Sequence, residues 1–208
     1  LGGIETVSSG GVGSNTILNS RGQLTVLAGG SVNVVSQAVG GILVADTSGT
    51  ITGGSSVDSG SFYVSGNVAS NLVLNSAASF NVLSGGSANA VTVNLGGIET
   101  VSSGGIDTSA ILNSGGSQLI LNGGLASSAT LSGGTQTISS GGTATYTLIS
   151  SGGLEIVSSG GTAINVTVSS GGVQAVSSGG TATSVTVSAG GIQSVLPGGV
   201  ATSATLSG

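Results

Sequence analysis

An all-β parallel β-helix of about eleven 19-residue coils is the fold this chain predicts, and three observations predict it. First, the sequence repeats: Ser151–Ser169 reads SGGLEIVSSGGTAINVTVS and Ser170–Ser188 reads SGGVQAVSSGGTATSVTVS. Second, apolar residues recur at fixed places in every unit. Third, two glycine pairs interrupt most units, each followed by a short run of β-branched and small residues. A fixed short period means one small unit stacked many times, each touching only its neighbours.

Counting from the residue before the first glycine pair, coils begin at Leu1, Ser20, Val39, Ser59, Ser76, Leu95, Ser114, Ser132, Ser151, Ser170 and Ala189. The coil at Val39 is one residue longer than 19, that at Ser59 two shorter and that at Ser114 one shorter. Residues 1–208 are thus expected to be one β-helical segment with irregular coils over 39–75.

Within a coil, position seven is apolar throughout, as at Val7, Val26, Val101, Ile138 and Val195. Positions sixteen and eighteen, such as Val166 and Val168, differ by two and so share one side of a strand. Ala144, Ala163, Ala182 and Ala201 mark a place for small side chains only. Stacked, these positions form a continuous apolar core. The glycine pairs fall at the corners, where a tight turn needs positive φ or has no room for a Cβ. With strands ~4.8 Å apart, eleven coils make a rod on the order of 50 Å long. A leucine-rich horseshoe would need a helical stretch, and a calcium-binding nonapeptide solenoid an aspartate in every unit; Asp46, Asp58 and Asp107 are the only aspartates.

Position five shifts along the chain, from Leu24, Leu43, Phe62 and Phe80 to Glu99, Gln118, Gln136, Glu155, Gln174 and Gln193. Two explanations compete. One is a ladder of amides hydrogen-bonded from coil to coil; the other is an outer polar stripe that binds a partner.

Composition narrows function. The chain has 42 glycines, 38% hydrophobic and 3% charged residues, and a net charge of −5. Disordered chains are poor in apolar β-formers, and this one is not. A single base, Arg21, excludes nucleic acid and anionic lipid surfaces as partners. No apolar run is long enough for a membrane-spanning helix, so direct membrane insertion is not expected. No signal peptide opens the chain and Leu1 already sits in a repeat, so a segment of a longer protein is expected.

Chemistry-bearing residues are scarce. The absence of histidine and cysteine removes the commonest general base, thiol nucleophile and metal ligands, so no cofactor or metal is expected. Glu5, Glu99 and Glu155 share a position but lie coils apart, and Asp46 and Asp58 have no basic partner nearby, so no enzyme is expected. Thr-x-Thr pairs such as Thr143/Thr145 hint at an ice-binding face, which Ile164 interrupts. Asn165 formally opens an N-glycosylation sequon inside a strand. Serine pairs crowd one corner: Ser8-Ser9, Ser102-Ser103, Ser139-Ser140, Ser158-Ser159 and Ser177-Ser178. They suit a tight turn, and their exposed hydroxyls are also candidate acceptors of O-linked sugar.

The unit S-G-G-(I/V/L)-(Q/E)-x-V-S-S-G-G-T-A, together with the irregular GGILVADTSGTITGG and SGSFYVSGNVASNLVLN stretches, resembles the passenger repeats of AIDA-type, antigen-43-like self-associating autotransporters. The resemblance covers essentially the whole chain. It implies a right-handed β-helix displayed on a Gram-negative outer membrane, acting in adhesion to host-cell surfaces, aggregation with identical passengers and biofilm formation. It also implies a glycosyltransferase that places heptose on serines in short loops, with Ser9, Ser103, Ser140, Ser159 and Ser178 as candidate acceptors. The translocator barrel of such proteins is not among these residues. On the residues alone, a passive stalk or matrix protein and, more distantly, a polysaccharide-active enzyme stay open.

Overall fold

The computed structural model describes residues 2–37, 42–45, 50–52, 55–57, 60–66 and 68–208. All regular structure among them is β. One winding contains three short strands, as in Leu154–Val157, Thr162–Ile164 and Thr167–Val168. Each pairs in parallel with its counterpart one coil on: Glu155↔Gln174, Ala163↔Ala182, Val168↔Val187. First strands of successive coils build an eleven-stranded sheet, and second and third strands build a second sheet of twenty. This is the expected parallel β-helix.

The register records the sequence irregularities. Most steps are 19 residues, as in Ile4↔Gln23, but Ser117↔Thr135 is 18. In the second sheet, Ser36↔Ser56 is a step of 20 and Ser56↔Val73 one of 17. An added residue and a later deletion are thus absorbed at corners while strands stay in phase. The irregular coils expected over 39–75 lie partly outside the described residues.

Apolar positions close the interior. Position seven (Val26, Val101, Ile120, Ile138, Val157, Val176) is fully buried, and so is position eighteen from Leu74 to Val168. Ala69, Ala88, Ala126, Ala144, Ala163 and Ala182 line the second strand's inner face at no more than 1% exposure. Between Ala88 and Ala126 that same register position holds Asp107, equally buried.

The backbone turns at three points per winding, and the two glycines of a corner have different tasks. Gly152, the first of its pair, has φ +84. A Cβ on the second, Gly153, would come within 2.5 Å of the Leu131 carbonyl oxygen in the coil before. The first glycine therefore answers a backbone angle and the second a close approach. Pairing continues around the bends: Ser158 N–H donates back to Ile138 O (2.9 Å), while Gly160 N–H donates forward to Gly179 O (2.8 Å). Side chains also ladder at the third corner, where Asn113 Nδ2 donates to Asn94 Oδ1 and Asn94 Nδ2 to Asn75 Oδ1, both at 2.8 Å.

Candidate functional site

The five candidate serines occupy equivalent places. Ser9, Ser103, Ser140, Ser159 and Ser178 all sit at the corner after the first strand, and all are exposed. The strand before delivers an apolar residue inward, Val157 in one coil, and the chain then reverses through a turn closed by Gly161 N–H to Ser158 O at 2.9 Å. Ser140, Ser159 and Ser178 follow one another in adjacent coils, so their hydroxyls recur at the strand spacing of ~4.8 Å. Asn122 stands between Ser103 and Ser140 in this row. The bend between second and third strands is shorter, a single left-handed residue such as Ser109, Asn165 or Tyr146. Tyr146 is 62% exposed there and borders a shallow groove of about 540 Å³ with Asn165, Thr167, Ser184 and Thr186.

Position five points inward. Glu99, Gln118, Gln136, Glu155 and Gln174 are all buried, which rules out the outer polar stripe and leaves the ladder. Gln136 Nε2 donates to Gln118 Oε1 (2.6 Å), Gln174 Nε2 to Glu155 Oε2 (2.6 Å) and Gln193 Nε2 to Gln174 Oε1 (2.9 Å). The apolar residues at position four, such as Ile98 and Ile192, correspondingly face out.

The ladder also unites residues that sequence spacing kept apart. Gln118 Nε2 donates to Glu99 Oε2 at 2.9 Å and to Asp107 Oδ2 at 2.8 Å, bridging two carboxyls from two strands of one coil. The signal was the parity of position thirteen, which aims Asp107 inward as it aims the alanines. One oxygen of each buried acid, Glu99 Oε1, Asp107 Oδ1 and Glu155 Oε1, has no hydrogen-bond partner. Burial, reinforced by the Asp107 charge, holds Glu99 well above the usual carboxylate range. Burial pushes Asp107 up to about 7 against the pull of its bonds from Gln118 and the Thr108 backbone. Glu155 likewise rises to about 7 by burial, against the pull of the Gln174 amide and the nearby Thr147 hydroxyl. Uncharged carboxyl groups are what such an enclosed row tolerates.

These acids are enclosed, with no exposure to solvent. Glu5 is exposed, accepts from Thr16 Oγ1 (3.2 Å) and lines a groove of about 300 Å³ that contains no second acid. Asp46 and Asp58 lie outside the described residues. Among the described residues no three His, Cys, Asp or Glu side chains group as metal ligands, and no helix is long and apolar enough to cross a membrane.

Comparison with known proteins agrees with this architecture. Residues 53–116 match a family model described as adhesin of bacterial autotransporter system, probable stalk. Among solved structures, a fragment of TibA, hyper-glycosylated by TibC catalysis, superposes with a TM-score of 0.73 at 36% sequence identity. That match covers 99% of this chain and 88% of the fragment. No curated protein matches the chain.

Proposed function

We propose, for a chain that belongs to the AIDA-type autotransporter adhesins, that its coils act as a surface-displayed rod that adheres through many weak contacts. Display is from a Gram-negative outer membrane, and the partners are host-cell surfaces and identical passengers on neighbouring cells. Self-aggregation and biofilm growth follow from such pairing. The activity is binding rather than catalysis.

The observation that carries this reading is the outward side of the second and third strands. There Thr143, Thr162 and Thr181 follow one another in register, as do Thr167, Thr186 and Thr205. Thr202 Oγ1 donates to Thr183 Oγ1 at 3.3 Å along the same side. Each of these rows presents the same hydroxyl in three successive coils, with Leu125 and Val200 flanking the first row and Leu148 preceding the second. A second rod finds equivalent partners over these successive coils, and linked weak contacts multiply into avidity. Ser9, Ser103, Ser140, Ser159 and Ser178 are proposed as O-glycosylation acceptors of a partner glycosyltransferase. The TibC-catalysed glycosylation of TibA supports that partner class, and the exposed corner geometry supports the sites.

A second reading has its own support in the family description as a probable stalk: the coils only hold another part of the protein away from the membrane. Adding the soluble 208-residue chain to a settling suspension of bacteria displaying the full protein separates the two. Adhesive coils compete and slow the settling; passive ones leave it unchanged, and that result would defeat the proposal.

A further inference from the structure

Every bend of a winding carries a left-handed residue, and two of the bends are filled in contrasting ways. Between the second and third strands the residue is Asn15, Ala90, Ser109, Tyr146 or Ser184 and their equivalents, with φ between +53 and +63. At the Ser-Ser-Gly-Gly corner it is glycine in every described coil from Gly10 to Gly198, with φ between +63 and +81. Backbone angle alone does not explain that contrast, since Asn, Ala and Ser adopt positive φ elsewhere in the same coils.

What differs is the neighbour. A Cβ on Gly179 would lie 2.7 Å from Ser159 Oγ, in the coil before. The same holds for Gly29 over Ser9 (2.8 Å), Gly104 over Ser84 (3.0 Å), Gly123 over Ser103 (2.8 Å), Gly160 over Ser140 (2.7 Å) and Gly198 over Ser178 (2.6 Å). Each exposed hydroxyl is therefore aimed along the rod at a Cα that carries no side chain. At the Ser-Gly-Gly corner only Ser170 repeats this, 2.9 Å from a Cβ on Gly190. Ser114 and Ser151 instead meet the next coil's glycine through Cα, Cβ or backbone atoms.

We infer that a glycosylation acceptor is a corner serine whose hydroxyl points along the rod at a glycine one coil on, which keeps it open, so that the acceptors include Ser84 and Ser170 and exclude Ser114 and Ser151. This rests on the glycosylation proposed above and adds the rule that selects the sites. The donor is a nucleotide-activated sugar. Ser Oγ attacks the anomeric carbon and the new C–O bond forms as the bond to the nucleoside diphosphate breaks. The diphosphate leaves with the electron pair, and the hydroxyl proton passes to a base of the transferase. A Cβ above the serine crowds the oxygen inside van der Waals contact and turns it from this approach.

The test is peptide mapping by mass spectrometry of the protein made in cells that contain its glycosyltransferase, comparing wild type with Gly179→Ala and Gly179→Asn. Asn accepts the left-handed φ far better than most residues, so an effect common to both variants is steric rather than backbone strain. The expected result is loss of sugar from Ser159 alone, with Ser103 and Ser178 still occupied, Ser84 and Ser170 modified, and Ser114 and Ser151 bare. Undiminished sugar on Ser159, equal modification of Ser114 or Ser151, or a fall spread over every corner each overturns the rule. A wild-type protein with no sugar anywhere instead removes the glycosylation reading on which the rule stands.

Discussion

Replacing Glu155 with glutamine should stabilise this rod above neutral pH and change little in acid. Glu155 accepts from Gln174 on one oxygen and leaves the other without a partner. One coil earlier, Gln136 Oε1 receives only the Thr147 hydroxyl, at 3.3 Å. Where glutamine follows glutamine, the later amide donates to the earlier carbonyl, as Gln136 does to Gln118. A glutamine at 155 supplies that missing donor, keeps the acceptor for Gln174 and removes the ionisable group. The magnitude follows from proton linkage. The carboxyl ionises near 4.5 when exposed and at about 7 in the fold. Below 4.5 both states are protonated and burial carries no ionisation penalty. Between 4.5 and 7 the unfolded chain ionises while the folded one does not, so stability falls as pH rises; above 7 the deficit is constant. At about 1.4 kcal/mol per pH unit the deficit is about 3 kcal/mol. Urea or thermal unfolding followed by circular dichroism from pH 4 to pH 8.5 measures it. The wild type should lose stability across this window, and Glu155→Gln should show a flatter profile with roughly 3 kcal/mol more stability at pH 8. Parallel profiles, or a variant weaker than wild type at pH 8, would refute the reasoning.

Asp107→Ala should act in the same direction. It restores the alanine row, relieves the charge felt by Glu99 and leaves Gln118 bonded to Glu99, so a gain of roughly 2–4 kcal/mol at pH 8 and little at pH 4 is expected from the same unfolding curves. Tyr146→Asn replaces a bulky residue at φ +57 with one that accepts that angle, and little packing is lost because Tyr146 is largely exposed. The urea midpoint should rise, equivalent to about 0.5–1 kcal/mol. Aggregation of cells displaying the rod should be nearly unchanged between low and high salt, as measured by settling at matched cell density.

The solenoid was legible because its information is one-dimensional. Position seven repeats an apolar residue in coil after coil, and glycine pairs mark two of the three corners in most coils, so periodicity alone predicted parallel strands stacked one coil apart. The ladder at position five was legible only as an alternative. Parity placed Glu99 and Gln118 inside, yet the apolar residues beside them at position four argued the reverse, because β-branched residues outside a two-sided sheet carry no polarity signal. The pairing of Glu99 with Asp107 was not legible. It depends on how far the second strand folds back across the interior, which is set by corner angles that glycine pairs permit but do not encode. The distinction between Ser159 and Ser151 was hidden for a similar reason: both precede glycine, but Ser151 has a left-handed φ of +48 and its hydroxyl does not meet the next coil's glycine.

Those buried acids alter what a partner meets on the outside. The formal charge of −5 counts six acids against Arg21, yet Glu99, Asp107 and Glu155 are enclosed and held neutral in mild acid. From Ile98 onward no described outer side chain is charged; Glu5 and Arg21 both belong to the first two coils. Two such rods approaching side by side have almost no like charge to separate them and almost none for salt to screen. The proposed attraction between them would come from hydroxyls, amides and the half-exposed Ile, Leu and Val of position four and its counterparts. Contacts of that kind are individually weak and nearly indifferent to ionic strength, and the stacked coils offer them at a regular spacing. A charged surface would fix one register between rods. An uncharged one would let the proposed pairing occur at several coil offsets, which would favour broad cell-to-cell cohesion over a single defined complex.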